Sequence, residues 1–390
     1  MNDAKLWTKD FLITSLINFL LTCVFYLLVV IVAVYAKTEF NASASVAGLA
    51  TGIFIIATLI GRIFVGSKIN SIGYKRTLMI GTFLFAASSL LYFIQINIGF
   101  FLFVRFLHGA TLGFAGTATG TIVAKIIPAN RRGEGIGYYS MSSTLATAIG
   151  PFLGILLTQH TGYELVFGVC SLLGIISFIT SFFIEVSEPE KMIEKESMKG
   201  LKLSNYLEPK AIPVSFIMLI AALCYSGVLS FMNLYARELH LLKAASFFFL
   251  VYSVAILCSR PFSGRLLDAK GANFVMYPAF LFFAIGMFVL SAAQNSFILL
   301  LSGVLIGLGY GNMQSCIQAL AVKVTPVHRM GLATSTFFIF LDAGLGFGPY
   351  LLGFIVPYTT YGHLYFGLCF VILFNILLYF LLHGRKTKEV

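Results

Sequence analysis

The stretch GRIFVGSKINSIGYKR, residues 61–76, sets Arg62, Lys68, Lys75 and Arg76 among Gly61, Gly66 and Gly73, and apolar sequence resumes directly on both sides. Charge with little bulk between two oily runs is what a short connection between membrane spans needs. Basic groups hold it on one side of the bilayer and small residues let the chain turn. The stretch recurs 198 residues later as RPFSGRLLDAKG, residues 260–271, which lays Arg260 on Arg62, Gly264 on Gly66 and Gly271 on Gly73. The same ungapped offset pairs Gly109 with Gly307, Gly113 with Gly311, Lys125 with Lys323, Pro128 with Pro326, Arg131 with Arg329, Gly133 with Gly331, and Gly150-Pro151 with Gly348-Pro349. Matches over four consecutive apolar segments imply an internal duplication.

Working outward, 59% of the 390 residues are hydrophobic and 11% charged, with a mean hydropathy of +0.94. That composition excludes a soluble globular domain. Runs of the roughly 20 apolar residues a helix needs to cross hydrocarbon begin at about 10–36 and end at about 361–383, and twelve can be marked. They are solid rather than alternating, so the expected fold is an all-α membrane protein, not a barrel. Residues 1–184 are expected to form an N-terminal six-helix bundle and 211–390 a C-terminal one, related by an axis along the membrane normal. The segment 185–210, with six Glu and five Lys, reads as a cytoplasmic linker.

The formal charge of +11 is read by placement. With the N-terminus inside, 22 of the 26 basic residues fall in or beside cytoplasmic segments; Lys37, Arg237 and Lys243 face outward and Arg105 lies within a span. The positive-inside rule therefore puts both termini in the cytoplasm of a multi-pass protein and makes the bilayer, not nucleic acid, the partner of that charge. No separate signal peptide is expected. Cys23, Cys170, Cys224, Cys258, Cys316 and Cys369 are scattered without a CxxC pair, so no metal and no cofactor are expected.

In this context the chain resembles the major facilitator superfamily, specifically its twelve-helix drug:proton antiporters. That group's connection between helices 2 and 3 reads G-x-x-x-D-x-x-G, then one residue and two basic ones. Here Gly66, Asn70, Gly73, Lys75 and Arg76 occupy those places, and Gly264, Asp268 and Gly271 repeat them in the second half. Helix 4 of the group carries an arginine-glycine pattern, here Arg105, Gly109 and Gly113. Its helix 5 signature ends here as Ala146, Gly150, Pro151 and Gly154. Two departures stand out: Asn70 replaces the usual acid, although Asp268 keeps it, and Ala146 replaces a glycine.

The resemblance implies alternating access by a monomer in a bacterial cell membrane. Helices 5 and 11 would point their positive N-terminal ends at Asp268 and Asn70, and these connections are expected to latch one half against the other. Proline at 151 and 349 removes a backbone hydrogen bond and lets helices 5 and 11 bend, while close packing of the glycines is the alternative. Charge inside the bilayer is costly and marks function. Asp342, about 16 Å into its helix at 1.5 Å per residue, is the expected proton-coupling acid. Arg105 is expected to hold an anion or to tune a neighbouring acid.

By resemblance helices 1, 4, 7 and 10 line the substrate cavity. Their polar members are Asn18, Tyr26, His108, Thr111, Tyr225, Asn233, Tyr310, Asn312, Gln314 and Gln318. Few charges and much aromatic surface suit amphipathic, drug-sized molecules. Export of an endogenous metabolite such as a metallophore or lipid, or uncoupled facilitation, is the alternative. An enzyme is not expected: there is no HExxH, no GxxxxGK phosphate loop and no pair of intramembrane aspartates.

Overall fold

The computed structural model describes residues 6–42, 44–160, 162–187 and 205–386. The central part of the expected linker, 188–204, lies outside these. Among the described residues there is no strand, and the chain is a succession of long helices.

They are α1 (Lys9–Phe40), α2 (Ala44–Ile72), α3 (Tyr74–Leu90), α4 (Ile98–Ile126), α5 (Arg132–His160) and α6 (Tyr163–Ser181), then α7 (Ile212–Glu238), α8 (Leu242–Lys270) and α9 (Ala272–Ser291). After these come α10 (Ser296–Lys323), α11 (Met330–Gly353) and α12 (Tyr361–Leu382). Eleven are long and apolar enough to cross a membrane by length and composition; α5, with 29 residues, is the twelfth long helix. A 29-residue helix extends about 43 Å, more than the hydrocarbon thickness. Large apolar side chains on the outer faces support immersion in lipid: Phe152 is 63% exposed, Phe262 67% and Phe297 74%.

Local chemistry repeats with the sequence. Asn97 caps α4 by accepting the N–H of Phe100 at 2.9 Å, and Asn295, 198 positions on, caps α10 by accepting the N–H of Ile298 at 3.0 Å. Gly73 and Gly271 have φ of 98° and 83°, a region open to glycine. Each is the single residue between two helices, so the connection expected at 66–76 is instead helix up to Ile72. Charged side chains at an exposed helix end do not stop a helix; the left-handed glycine does. One break in the repeat lies in α10, which contains a π turn at Gly307–Gly311, whereas its counterpart α4 is uninterrupted.

The chain divides into two compact units. One comprises Met1–Pro128, Leu145–Glu208 and Pro326–Thr336; the other comprises Ala129–Thr144, Pro209–Thr325 and Phe337–Val390. In the first unit α2 runs along α4, and α3 packs between α4 and α6. Its core is built from residues such as Leu21, Val24, Leu28, Tyr35, Leu78, Phe85, Ile122 and Phe167. In the second, α9 packs on α10 and α12, and α7 on α12. The first turns of α5 thus pack with the second unit, and the first turns of α11 with the first.

Candidate functional site

Within the second unit the end of α8 meets the start of α5. Asp268 accepts the backbone N–H of Gly133 at 2.9 Å and of Glu134 at 2.8 Å, and the Lys323 ammonium lies 2.5 Å from its carboxylate. A carboxylate on the free N–H groups of a helix start satisfies donors the helix cannot and faces the positive end of its dipole. The approach requires small residues: a Cβ on Gly264 would lie 2.6 Å from the Gly133 carbonyl oxygen, and one on Gly133 would lie 2.6 Å from that of Gly264. Glu134 adds a second layer, accepting from Arg131 Nε at 2.7 Å and Arg265 Nε at 2.8 Å. Those hydrogen bonds, Arg131 first, hold its carboxyl below the usual range against the opposing effect of burial.

The repeat counterpart in the first unit uses different chemistry. Asn70 Nδ2 donates to the His328 carbonyl oxygen at 2.5 Å, and Tyr74 Oη donates to Asn70 Oδ1 at 3.3 Å. An amide cannot supply the charge of Asp268, so here it holds a carbonyl rather than a helix start. Ser335 Oγ donates to the Arg62 carbonyl oxygen at 2.7 Å, and a Cβ on Gly66 would lie 2.4 Å from Ser335 Cβ. Lys75 Nζ donates to the Phe182 carbonyl oxygen at 2.9 Å, and Arg76 lies on an exposed turn of α3.

Charge also sits deep in the spans. Arg105 is fully buried; its Nε donates to the Ala50 carbonyl oxygen at 2.9 Å, Nη1 donates to Tyr92 Oη at 3.2 Å, and its Cζ lies 4.4 Å from the Phe54 ring centroid. Its Nη2 has no partner among the described residues. Tyr92 Oη is also 3.1 Å from His108 Nδ1, which links two buried basic residues through one phenol. In the second unit Arg260, 1% exposed, donates to Thr144 Oγ1 at 2.7 Å and to the carbonyl oxygen of Gly311, in the π turn, at 3.0 Å. Thr144 is the repeat counterpart of Asp342. Asp342 is half-buried at the middle of α11. The opposite face of α11 packs on α7: a Cβ on Gly344 would meet the Leu219 carbonyl oxygen at 2.4 Å, and one on Gly348 would meet Ser226 Oγ at 2.0 Å. Gly150 similarly packs on Tyr26 of α1, and both α5 and α11 continue through Pro151 and Pro349 as helices.

The residues expected to line a cavity fall into both units. In the second, Tyr225 stacks on Tyr310 with centroids 4.1 Å apart and on Tyr252 at 5.3 Å. Asn312 accepts from Ser263 at 2.7 Å and donates to Ser259 at 2.9 Å, and Ser140 donates to Gln318 at 3.4 Å. Gln314 is half-buried; the side chain of Asn233 lies outside the described residues. In the first unit Asn18 is buried and Tyr26 half-buried on α1. His108 and Thr111 turn towards α3 and the turn that follows it, His108 to Tyr92 and Thr111 to Ser88 at 3.4 Å. Among the described residues no three His, Cys, Asp or Glu side chains converge to hold a metal ion.

The sequence profile of the Major Facilitator Superfamily matches residues 14–349 and again 242–390. The chain belongs to the major facilitator superfamily. An uncharacterized MFS-type transporter of Methanocaldococcus jannaschii is 28% identical over 357 residues, covering 90% of this chain and 92% of the relative. The multidrug resistance protein MdtG of Salmonella arizonae is 26% identical over 355 residues, covering 88% and 87%. The human organic anion transporter MFSD10 superposes with a TM-score of 0.77 at 14% identity, covering 95% of this chain and 98% of that one, a likeness of fold.

Several residues of this superfamily member escaped the sequence reading. Glu134 and Arg131 had a visible signal, an acid three residues after a base at a helix start. The pairing of Arg265 with Glu134 and of Tyr92 with Arg105 had none, because each joins residues distant in sequence.

Proposed function

We propose that this major facilitator protein is a secondary active exporter that moves amphipathic, drug-like small molecules out of the cell in exchange for protons by alternating access, as a monomer with both termini in the cytoplasm. The observation that carries this is Asp342. Among the acidic residues that the structure describes, it alone lies in the middle of a long apolar helix; the others within helices stand near an end. A half-buried carboxylate at that depth is retained against a cost of several kcal/mol unless it is paired or hydrated, and such a group suits cyclic protonation.

The remaining residues take roles around it. Arg105 supplies a fixed positive charge that can hold an anion or tune a neighbouring acid. Tyr225 and Tyr310, with Asn312, Gln314 and Gln318, offer stacking surface edged by amides, and Asn18, Tyr26 and Asn233 complete the substrate-facing set. Asp268 and Asn70, with Gly66, Gly73, Gly264 and Gly271, form the cytoplasmic gate, and Gly150-Pro151 and Gly348-Pro349 let α5 and α11 flex as it opens. The relationship to a multidrug resistance protein supports the substrate class.

Purified protein in sealed vesicles tests the reading. An imposed pH gradient should drive accumulation of a fluorescent amphipathic dye, and Asp342→Asn should abolish that drive. Equal accumulation by the wild type with and without the gradient would refute proton exchange.

A further inference from the structure

The 198-residue repeat places Arg329 where the first half has Arg131, and Leu332 where it has Glu134. In the second unit the Arg131 guanidinium is neutralised by the acid one helical turn along, Glu134. The first unit has no acid at that place, for Leu332 is apolar and 8% exposed. A base at the start of α11 would stand without that counter-charge.

Another acid takes the place. Glu208, at the end of the segment that joins the halves, accepts a hydrogen bond from Arg329 Nε, and its side chain is 4% exposed. Its backbone N–H donates to Thr336 Oγ1 at 2.8 Å, and Thr336 Oγ1 donates to the Leu332 carbonyl oxygen at 2.7 Å. The joining segment is thereby fastened to the first turns of α11 by both side chain and backbone, beside the Asn70 contact to His328. A carboxylate this buried is stable as a charge when paired, and with Asn70 neutral it is the acid that anchors this end.

We propose that Glu208 is a positioning residue of the gate: an acid borne by the linker that replaces the helix-borne acid of the other half and holds the start of α11 in the first unit. Glu208, at the end of the segment between the halves, is then a working part of the gate and not of a passive tether. The proposal rests on the reading of these residues as a gate given above.

The test uses full-length protein with its six cysteines replaced and one reporter added, Thr334→Cys. Thr334 is fully buried and its Oγ1 has no partner among the described residues, so the exchange costs no hydrogen bond. Reaction of this cysteine with a soluble maleimide reads the release of α11. A control reporter, Ser215→Cys in α7, equally buried and without a hydroxyl partner among the described residues, reads general loosening. Glu208→Gln should raise the Thr334→Cys labelling rate about tenfold, moderated because Arg329 is partly in solvent, and leave the control rate unchanged. Arg329→Gln should do the same, and the double variant no more than either single. The charge-reversed pair Glu208→Arg with Arg329→Glu should return the rate towards the reference. A reference rate in folded Glu208→Gln, equal acceleration of both reporters, or no return in the reversed pair would overturn the proposal. If Glu208→Gln does not fold, Arg329→Gln decides by the same readings. Labelling requires no transport, so a failure of proton exchange in vesicles would refute the functional reading and leave this result standing.

Discussion

Replacing Asp268 with Asn alters one atom and should open the contact between α8 and the start of α5. The carboxylate accepts two backbone N–H groups, at 2.9 and 2.8 Å, and faces the Lys323 ammonium. A hydrogen bond to a charged group contributes about 1.5–3 kcal/mol, and a partly buried charge at a helix end up to about 2 kcal/mol. These overlap, and Lys323 is 29% exposed, which screens its share. A net loss of about 3 kcal/mol is a reasonable magnitude, equivalent to roughly a hundredfold in the equilibrium between engaged and released α5. The amide carries a further penalty: its Nδ2 is a donor among donors, so Asp268→Ala should release α5 no more than Asp268→Asn does. Spin labels at Asn130→Cys and Lys270→Cys, both exposed positions of the second unit, would report the separation by pulsed electron resonance in bilayer discs. The reference protein should give one short distance, and the Asn variant a dominant longer one. A distance distribution in Asp268→Asn that matches the reference within about twofold in population, well under the hundredfold shift expected, would refute the reasoning.

Gly264→Val should have the same effect by steric means, because its first side-chain atom would lie 2.6 Å from the Gly133 carbonyl oxygen; the same spin-label pair reads it, and Gly264→Ala should fall between. The contribution of Glu134 has a defined pH window. Its pKa is lowered from 4.5 chiefly by Arg131, so the carboxylate is charged, and its stabilisation fully present, above that value and lost only as pH falls through the lowered one. The engaged fraction should therefore be flat between about pH 6 and 8. A midpoint inside that range would assign the titration to another group. Arg105→Lys should impair transport although it keeps the charge, since an ammonium cannot span the Ala50 carbonyl, the Tyr92 hydroxyl and the Phe54 ring together; dye efflux from cells at matched expression measures this. Asp342→Asn should retain exchange of labelled for unlabelled substrate at equal pH while losing accumulation driven by the gradient.

The twelve long helices, their duplication and their turns were legible because each rests on a local cause. A bilayer demands about 20 apolar residues in a row, an asparagine at 97 and 295 caps the helix that follows it, and a glycine with positive φ at 73 and 271 separates two helices. Helix ends were less legible, and α2 and α8 run on through charged residues to Ile72 and Lys270 because nothing before the glycine stops them. Asp342 and Arg105 stood out as charges amid apolar sequence. What their side chains meet did not, since it depends on which helices lie alongside: Arg105 is held by Ala50 and Phe54 of α2 and by Tyr92 just beyond α3. The tertiary structure alone decided that the first turns of α5 pack with the second unit and those of α11 with the first. It also decided that Glu208, from a segment that reads as a cytoplasmic linker, is the acid buried on Arg329. Hydrophobic period and turn chemistry are properties of neighbours along the chain, whereas a charge is neutralised by whichever group the packing brings within reach, and residues 121 positions apart carry no mark of one another until they do.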